Sequence, residues 1–268
     1  MINEPTEEQI AHSEFANAFF ARRAWLCYVL FALNILIFIL MVLASKNRAN
    51  MFISGTDFPV LLNFGAKLNA LIFQQTEWFR VVTAIFLHIG ILHLALNSYM
   101  LWNVGPTIER LFGASRFFII YLFSGIAGGI GSVFSDYYFK SDGVGAGASG
   151  ALFGLVGVSL AVSYKYRSKL PEGFRKVLGP GMIQVVAINL IYGFMNNASA
   201  SRGSKIGNAA HIFGLLGGGI LGLTIPILET DEKEKSQNSK FAITLCVMII
   251  GYCFIRAFLA RPYPNLGR

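Results

Sequence analysis

Residues Trp25 to Ala44 form a run of 20 residues without a single charged side chain. About 20 apolar residues wound as an α-helix span the roughly 30 Å hydrocarbon core of a bilayer, whereas a soluble core helix seldom needs such a run. The run is too long for a secretory signal peptide and lacks a small-residue cleavage site, so it is expected to stay as a first helix. Composition agrees: 54% of the 268 residues are hydrophobic and only 13% are charged, with a mean hydropathy of +0.57. A polytopic membrane protein is the class that fits.

The net charge of +8 does not point to nucleic acid, because the basic residues stand at the ends of apolar segments, where they meet headgroups or fix orientation. Cys27, Cys246 and Cys253 all lie in apolar runs and make neither a disulfide framework nor a zinc ribbon. No metal or cofactor is expected.

Hydropathy predicts an all-α fold with helices near 25–44, 90–111, 116–135, 149–165, 180–197, 207–228 and 241–260. Residues 1–24 read as a polar, disordered, cytoplasmic tail and 25–228 as a six-helix core. The charged stretch 229–240 reads as a solvated linker, 241–260 as an additional seventh helix, and 261–268 as a C-terminal tail. The segment 45–89 mixes Phe52, Phe58, Leu61, Phe64, Trp78 and Phe79 with Asp57, Lys67 and Arg80, and is expected partly in the interface. Arg80 beside Trp78 has the composition of an interfacial anchor, and His88 reads as tying down the same segment.

Lys and Arg in short loops set orientation. Arg22, Arg23, Arg110, Arg116, Lys165, Arg167, Lys169, Arg175 and Lys176 fall on one side, read as cytoplasmic, and outweigh Lys46, Arg48, Arg202 and Lys205 on the other. The helices starting near 90, 149 and 207 then all begin at the outer face. His93 and Asn97, Ser149, and His211 come out at similar depth, just below that surface.

Ionisable groups in a membrane need a partner or a function. A serine hydroxyl becomes a useful nucleophile when a histidine takes its proton. The oxyanion formed on attack needs fixed donors, for which His93, the Asn97 amide and the Ser149 backbone N–H are candidates. Glycines before Ser149 leave room for a substrate backbone. A zinc mechanism would want His-Glu-x-x-His, which the chain lacks. An aspartyl dyad would want two intramembrane aspartates, yet Asp57, Asp136, Asp142 and Asp231 fall outside the predicted helices. A Ser149–His211 dyad remains. For these two side chains to meet, their helices must approach closely, which Gly150 and Gly154 facing Gly214 and Gly218 would permit. Blander roles exist for these residues: Ser149 as an N-cap, His211 as a satisfied interior histidine, and His93 and Asn97 as hydrogen-bonding ties between helices. Glu109, near the cytoplasmic end of its helix, reads as a snorkelling or backbone-bonded carboxylate rather than a chemical group.

Glu77-Trp78-Phe79-Arg80, His88-Ile89-Gly90-Ile91-Leu92-His93-Leu94-Ala95-Leu96-Asn97, Gly105-x-x-x-Glu109-x-x-x-Gly113, Gly147-Ala148-Ser149-Gly150 and Ala210-His211-x-x-Gly214-x-x-x-Gly218 follow one another in this order. Together they resemble the rhomboid family of intramembrane serine proteases over about residues 77–222. The resemblance implies a six-helix core holding a Ser–His dyad in a water-filled cavity that opens to the outer side, gated by the fifth helix and a surface loop. It also implies an oxyanion hole of His93, Asn97 and the Ser149 N–H, and Phe153 packed on the catalytic imidazole where some relatives carry tyrosine. Substrates would be single-pass transmembrane proteins in the lipid bilayer, cut after a small residue. Catalytically inactive relatives that bind transmembrane segments form the alternative, and usually lack the serine or histidine that this chain keeps. A small-solute transporter would show an internal repeat, which is not found.

Overall fold

The computed structural model describes residues 6–55, 57–141, 143–187, 207–227 and 236–260, and among them every regular element is helical. Helix α1, Glu7–Ala21, occupies what the sequence suggested was a disordered tail. A capping box starts it: Thr6 N–H donates to Gln9 Oε1 at 2.9 Å, and Gln9 N–H donates to Thr6 Oγ1 at 3.3 Å. Phe15 and Phe19, one turn apart, then pack edge-on against Phe174 at 5.4 and 4.9 Å. Polar composition hides this i, i+4 aromatic pair, which gives the helix one face to bury.

Helix α2, Leu26–Ala44, follows the first apolar run to its predicted end. Its own N-cap, Trp25, supplies no side-chain acceptor. Glu109, 1% exposed, does so from a distant helix, accepting from the N–H groups of Trp25, Leu26 and Cys27 at 3.0, 2.9 and 2.8 Å. A carboxylate at a helix N-terminus satisfies orphan donors and complements the helix dipole.

Between α2 and the site lie α3 (Arg48–Ile53), α4 (Phe58–Asn63), α5 (Asn69–Gln74) and α6 (Arg80–Thr83). Arg80 is not an interfacial anchor: it is fully buried, donating to Glu77 Oε2 at 2.6 Å and to the carbonyls of Leu62 and Ala66 at 2.9 and 2.8 Å. A buried guanidinium must spread its donors over acceptors, and here they staple α4 and its following turn to α6. Of this pair, Trp78 keeps an anchor's exposure, at 46%.

After α6 and a 3₁₀ turn the chain bends by 87° into α7, Gly90–Phe112. Gly90 permits the bend: its φ is +78°, and a Cβ there would come 2.5 Å from the Ile53 carbonyl oxygen.

Helix α8, Ala114–Tyr138, runs three residues beyond the predicted end and so takes Asp136 into its last turn, correcting its placement outside the helices. Helix α9, Ser149–Lys165, has the predicted limits. Helix α10, Glu172–Lys176, leads through a π turn at Val177–Gly181. The helix expected over 180–197 lies outside the described residues from 188 onward. Helix α11 is Asn208–Thr224 and α12 is Ser236–Leu259, so α12 begins inside the stretch read as a linker.

By length and composition, Gln9–Ala44 and Ala114–Tyr138 among the described residues can cross a bilayer, and the bent pair Arg80–Phe86 with Gly90–Phe112 passes the same test only when taken together as one broken span. Ser149–Lys165, Asn208–Thr224 and Ile243–Leu259 are shorter apolar helices. Helices α8, α9 and α11 pack against one another, and α12 lies on α6 and α8, with Phe254 6.2 Å from Phe86. Cys27, Cys246 and Cys253 are buried and free.

Candidate active site

Helices α9 and α11 touch along glycine. A Cβ on Gly214 would overlap the Gly150 carbonyl oxygen, and one on Gly218 would overlap that of Gly154. The pairing is the one expected from the spacing of these four glycines, and it removes the side-chain layer that normally holds helices 8–10 Å apart. Gly128 adds α8 to the contact, since its Cβ would come 2.7 Å from the Ala210 carbonyl oxygen.

The close approach brings two short side chains together. Ser149 is the first residue of α9 and His211 stands in the first turn of α11. His211 Nε2 lies 2.9 Å from Ser149 Oγ. The N-cap position belongs to Ala148, so Ser149 is not the cap of its helix. Phe153, one turn on from Ser149, is 2% exposed and stacks on the imidazole with centroids 4.2 Å apart and planes 2° from parallel. Among the described residues no group hydrogen-bonds His211 Nδ1. The ring meets the aromatic face of Phe153 and the Ser149 hydroxyl.

His93 and Asn97 approach from α7. The Ile89 N–H donates to His93 Nδ1 at 3.4 Å, which leaves Nε2 as the ring's N–H. Nε2 faces Gly147, where a Cβ would stand 2.8 Å from it and 3.8 Å from Asn97 Nδ2. Gly147 has φ +138°, a conformation that a residue with a side chain rarely adopts. Asn97 Nδ2 itself donates to the His93 carbonyl at 3.1 Å. His88 is fully buried with its ring 5.4 Å from that of His93, rather than lying at the interface.

The arrangement can do acyl transfer: a hydroxyl lies beside a base, and the His93 Nε2 and Asn97 Nδ2 atoms lie near Gly147, two residues before that hydroxyl. No group of three or more His, Cys, Asp or Glu able to hold a metal ion occurs among the described residues.

Two residues near the site escaped sequence reading. Lys67, 3% exposed, forms an ion pair with Asp136 and a pair of backbone hydrogen bonds with Gly145. The available signal was a lone lysine within the apolar stretch Leu61–Leu71, a placement that calls for a partner.

A family model for the Rhomboid domain matches residues 75–227. The chain belongs to the rhomboid family. The matched region holds Ser149, His211, His93, Asn97, Phe153 and all four contact glycines, while α1 to α5 and α12 fall outside it. Rhomboid proteins are integral to membranes, as the apolar helices require. The chain is 38% identical over 228 residues to "Rhomboid protease GluP" of Bacillus subtilis (strain 168), covering 85% of this chain and 39% of that protein. It is 31% identical over 182 residues to "RHOMBOID-like protein 5" of Arabidopsis thaliana, covering 66% of this chain and 53% of the relative. With "Rhomboid protease AarA" of Providencia stuartii the identity is 29% over 217 residues, covering 72% and 73%. The chain thus spans well under half of the first of these relatives and about half of the second.

Proposed function

We propose that this rhomboid chain is an intramembrane serine endopeptidase with a Ser149–His211 dyad. The observation that carries the reading is the 2.9 Å approach of His211 Nε2 to Ser149 Oγ under the parallel Phe153 ring. Two protease-named relatives, GluP and AarA, support it.

In the mechanism, Ser149 Oγ attacks the scissile carbonyl as His211 Nε2 takes the hydroxyl proton. The resulting oxyanion is met by the Ser149 N–H, at the positive end of the α9 dipole, and by His93 Nε2–H and the Asn97 amide. The imidazolium then gives its proton to the departing amide nitrogen, and the C–N bond breaks. Water, deprotonated by the same imidazole, hydrolyses the acyl ester and regenerates Ser149.

Helices α9 and α11 are 17 residues each, about 25 Å at 1.5 Å per residue, against a hydrocarbon core of roughly 30 Å. Their N-terminal ends, with the dyad, therefore lie below one membrane surface if their C-terminal ends reach the other. The substrate is a single-pass transmembrane protein whose helix unwinds near its outer end, because a helix keeps its carbonyls in its own hydrogen bonds. By family resemblance the cut follows a small residue. The six-helix core, the seventh helix after the charged stretch and a cytoplasmic N-terminus complete the proposal, and reporter fusions to the two ends would place them on opposite sides of the membrane.

The test is labelling with a fluorophosphonate probe together with cleavage of a reporter transmembrane substrate, wild type against Ser149→Ala. Labelling and cleavage of the wild type only are expected. An unlabelled, inactive wild type that still captures transmembrane segments would instead make the chain an inactive binder.

A further inference from the structure

We infer that Lys67 and Asp136 are positioning residues for the loop that delivers the nucleophile; the inference rests on Ser149 acting as proposed above. The segment Gly143-Val144-Gly145-Ala146-Gly147-Ala148 leads into Ser149. A glycine-rich stretch loses much conformational freedom on ordering and has little side chain to pack, so outside groups must fix it.

Lys67 grips it at three levels. Its backbone exchanges two hydrogen bonds with Gly145, N to O at 2.8 Å and O to N at 2.9 Å, as an isolated antiparallel bridge. Its stem lies along Gly145, where a Cβ would come 2.9 Å from Lys67 Cδ. Its ammonium pairs with Asp136 and reaches the Gly143 carbonyl at 3.4 Å. Asp136 in turn accepts from Ser141 Oγ at 2.8 Å, joining the end of α8 to the start of the same loop. One further bond, Gly147 N–H to the Ala84 carbonyl at 2.9 Å, holds the loop where Gly147 meets His93.

A lysine this buried stays only when paired. Remove the pairing, and the loop keeps its backbone bridge but loses the strut between α8, Gly143 and Gly145, four residues before the nucleophile. Neither side chain touches the Ser149–His211 contact. Their effect is on where the Ser149 N–H and Oγ stand relative to His211 and His93, and a displacement of about 1 Å there can cost on the order of 100-fold in rate.

The experiment uses the full chain purified in detergent, measuring thermal midpoint, fluorophosphonate-titrated serine, and kcat and KM on a reporter transmembrane substrate. Lys67→Met keeps the stem and removes the charge. It is expected to lower kcat per titrated serine by about 10–100-fold with KM within about twofold. Asp136→Ala, at a side chain 23% exposed and so easier to truncate, is expected to act in the same direction, and Asp136→Glu to recover most of the loss. If Lys67→Met does not yield folded protein, the Asp136 pair carries the test alone. A lowered thermal midpoint with wild-type kcat per titrated serine would overturn the inference and leave the pair a fold-stabilising contact. Persistent cleavage by Ser149→Ala would instead remove the dyad reading, whatever the Lys67 variants do.

Discussion

His211 Nε2 stands 2.9 Å from Ser149 Oγ across 62 residues of sequence. The contact exists because glycine, not a larger residue, lies at the crossing of α9 and α11.

Ser149→Ala and His211→Ala should each abolish cleavage of a reporter transmembrane substrate, and the double variant should be no worse than either single one, because nucleophile and base act as a unit. Turnover rates of the three variants, measured on folded protein, check this. Substantial activity in either single variant would remove the dyad.

His93→Ala and Asn97→Ala should lower turnover by about 10–1000-fold, the range for loss of one oxyanion donor. Phe153→Ala should be intermediate between these and wild type, since the imidazole would lose the ring stacked 4.2 Å away. The comparison needs kcat at matched thermal midpoints. Fully active, well-folded variants at 93 and 97 would make those residues structural.

Gly214→Val should cost on the order of 100-fold in kcat by pushing α11 off the Gly150 carbonyl. Gly251→Val is the control, because a Cβ at Gly251 meets nothing within 4 Å. Wild-type turnover in a membrane-inserted Gly214→Val protein would mean that α9 and α11 do not meet there.

Glu109→Ala should destabilise the protein by about 1–3 kcal/mol, the cost of leaving buried donors unmet at the start of α2. Glu109 lies 16 residues along α7 from His93, about 24 Å away, so kcat per titrated serine should not change. Thermal midpoint and active-site titration separate the two effects; a fall in kcat with unchanged stability would contradict the capping role.

Local pattern decided much of the fold. Hydropathy placed α2, α7 and α9 because their apolar runs end at polar or charged residues such as Ser45, Arg110 and Lys165. The three- and four-residue spacing of His211, Gly214 and Gly218 put them on one helical face before any partner was known. What sequence could not supply was the identity of partners distant along the chain. Arg80 among the carbonyls of Leu62 and Ala66, Glu109 under the start of α2, Phe19 against Phe174 and Lys67 against Asp136 each reverse or refine a reading made from composition. A charged side chain beside aromatics looks interfacial until its acceptors are known, and those acceptors are mostly backbone atoms, which every residue carries alike. Helical periodicity is a property of neighbours in sequence and can be read from them. Burial of a charge depends on which distant groups satisfy it, and only the tertiary structure decided that.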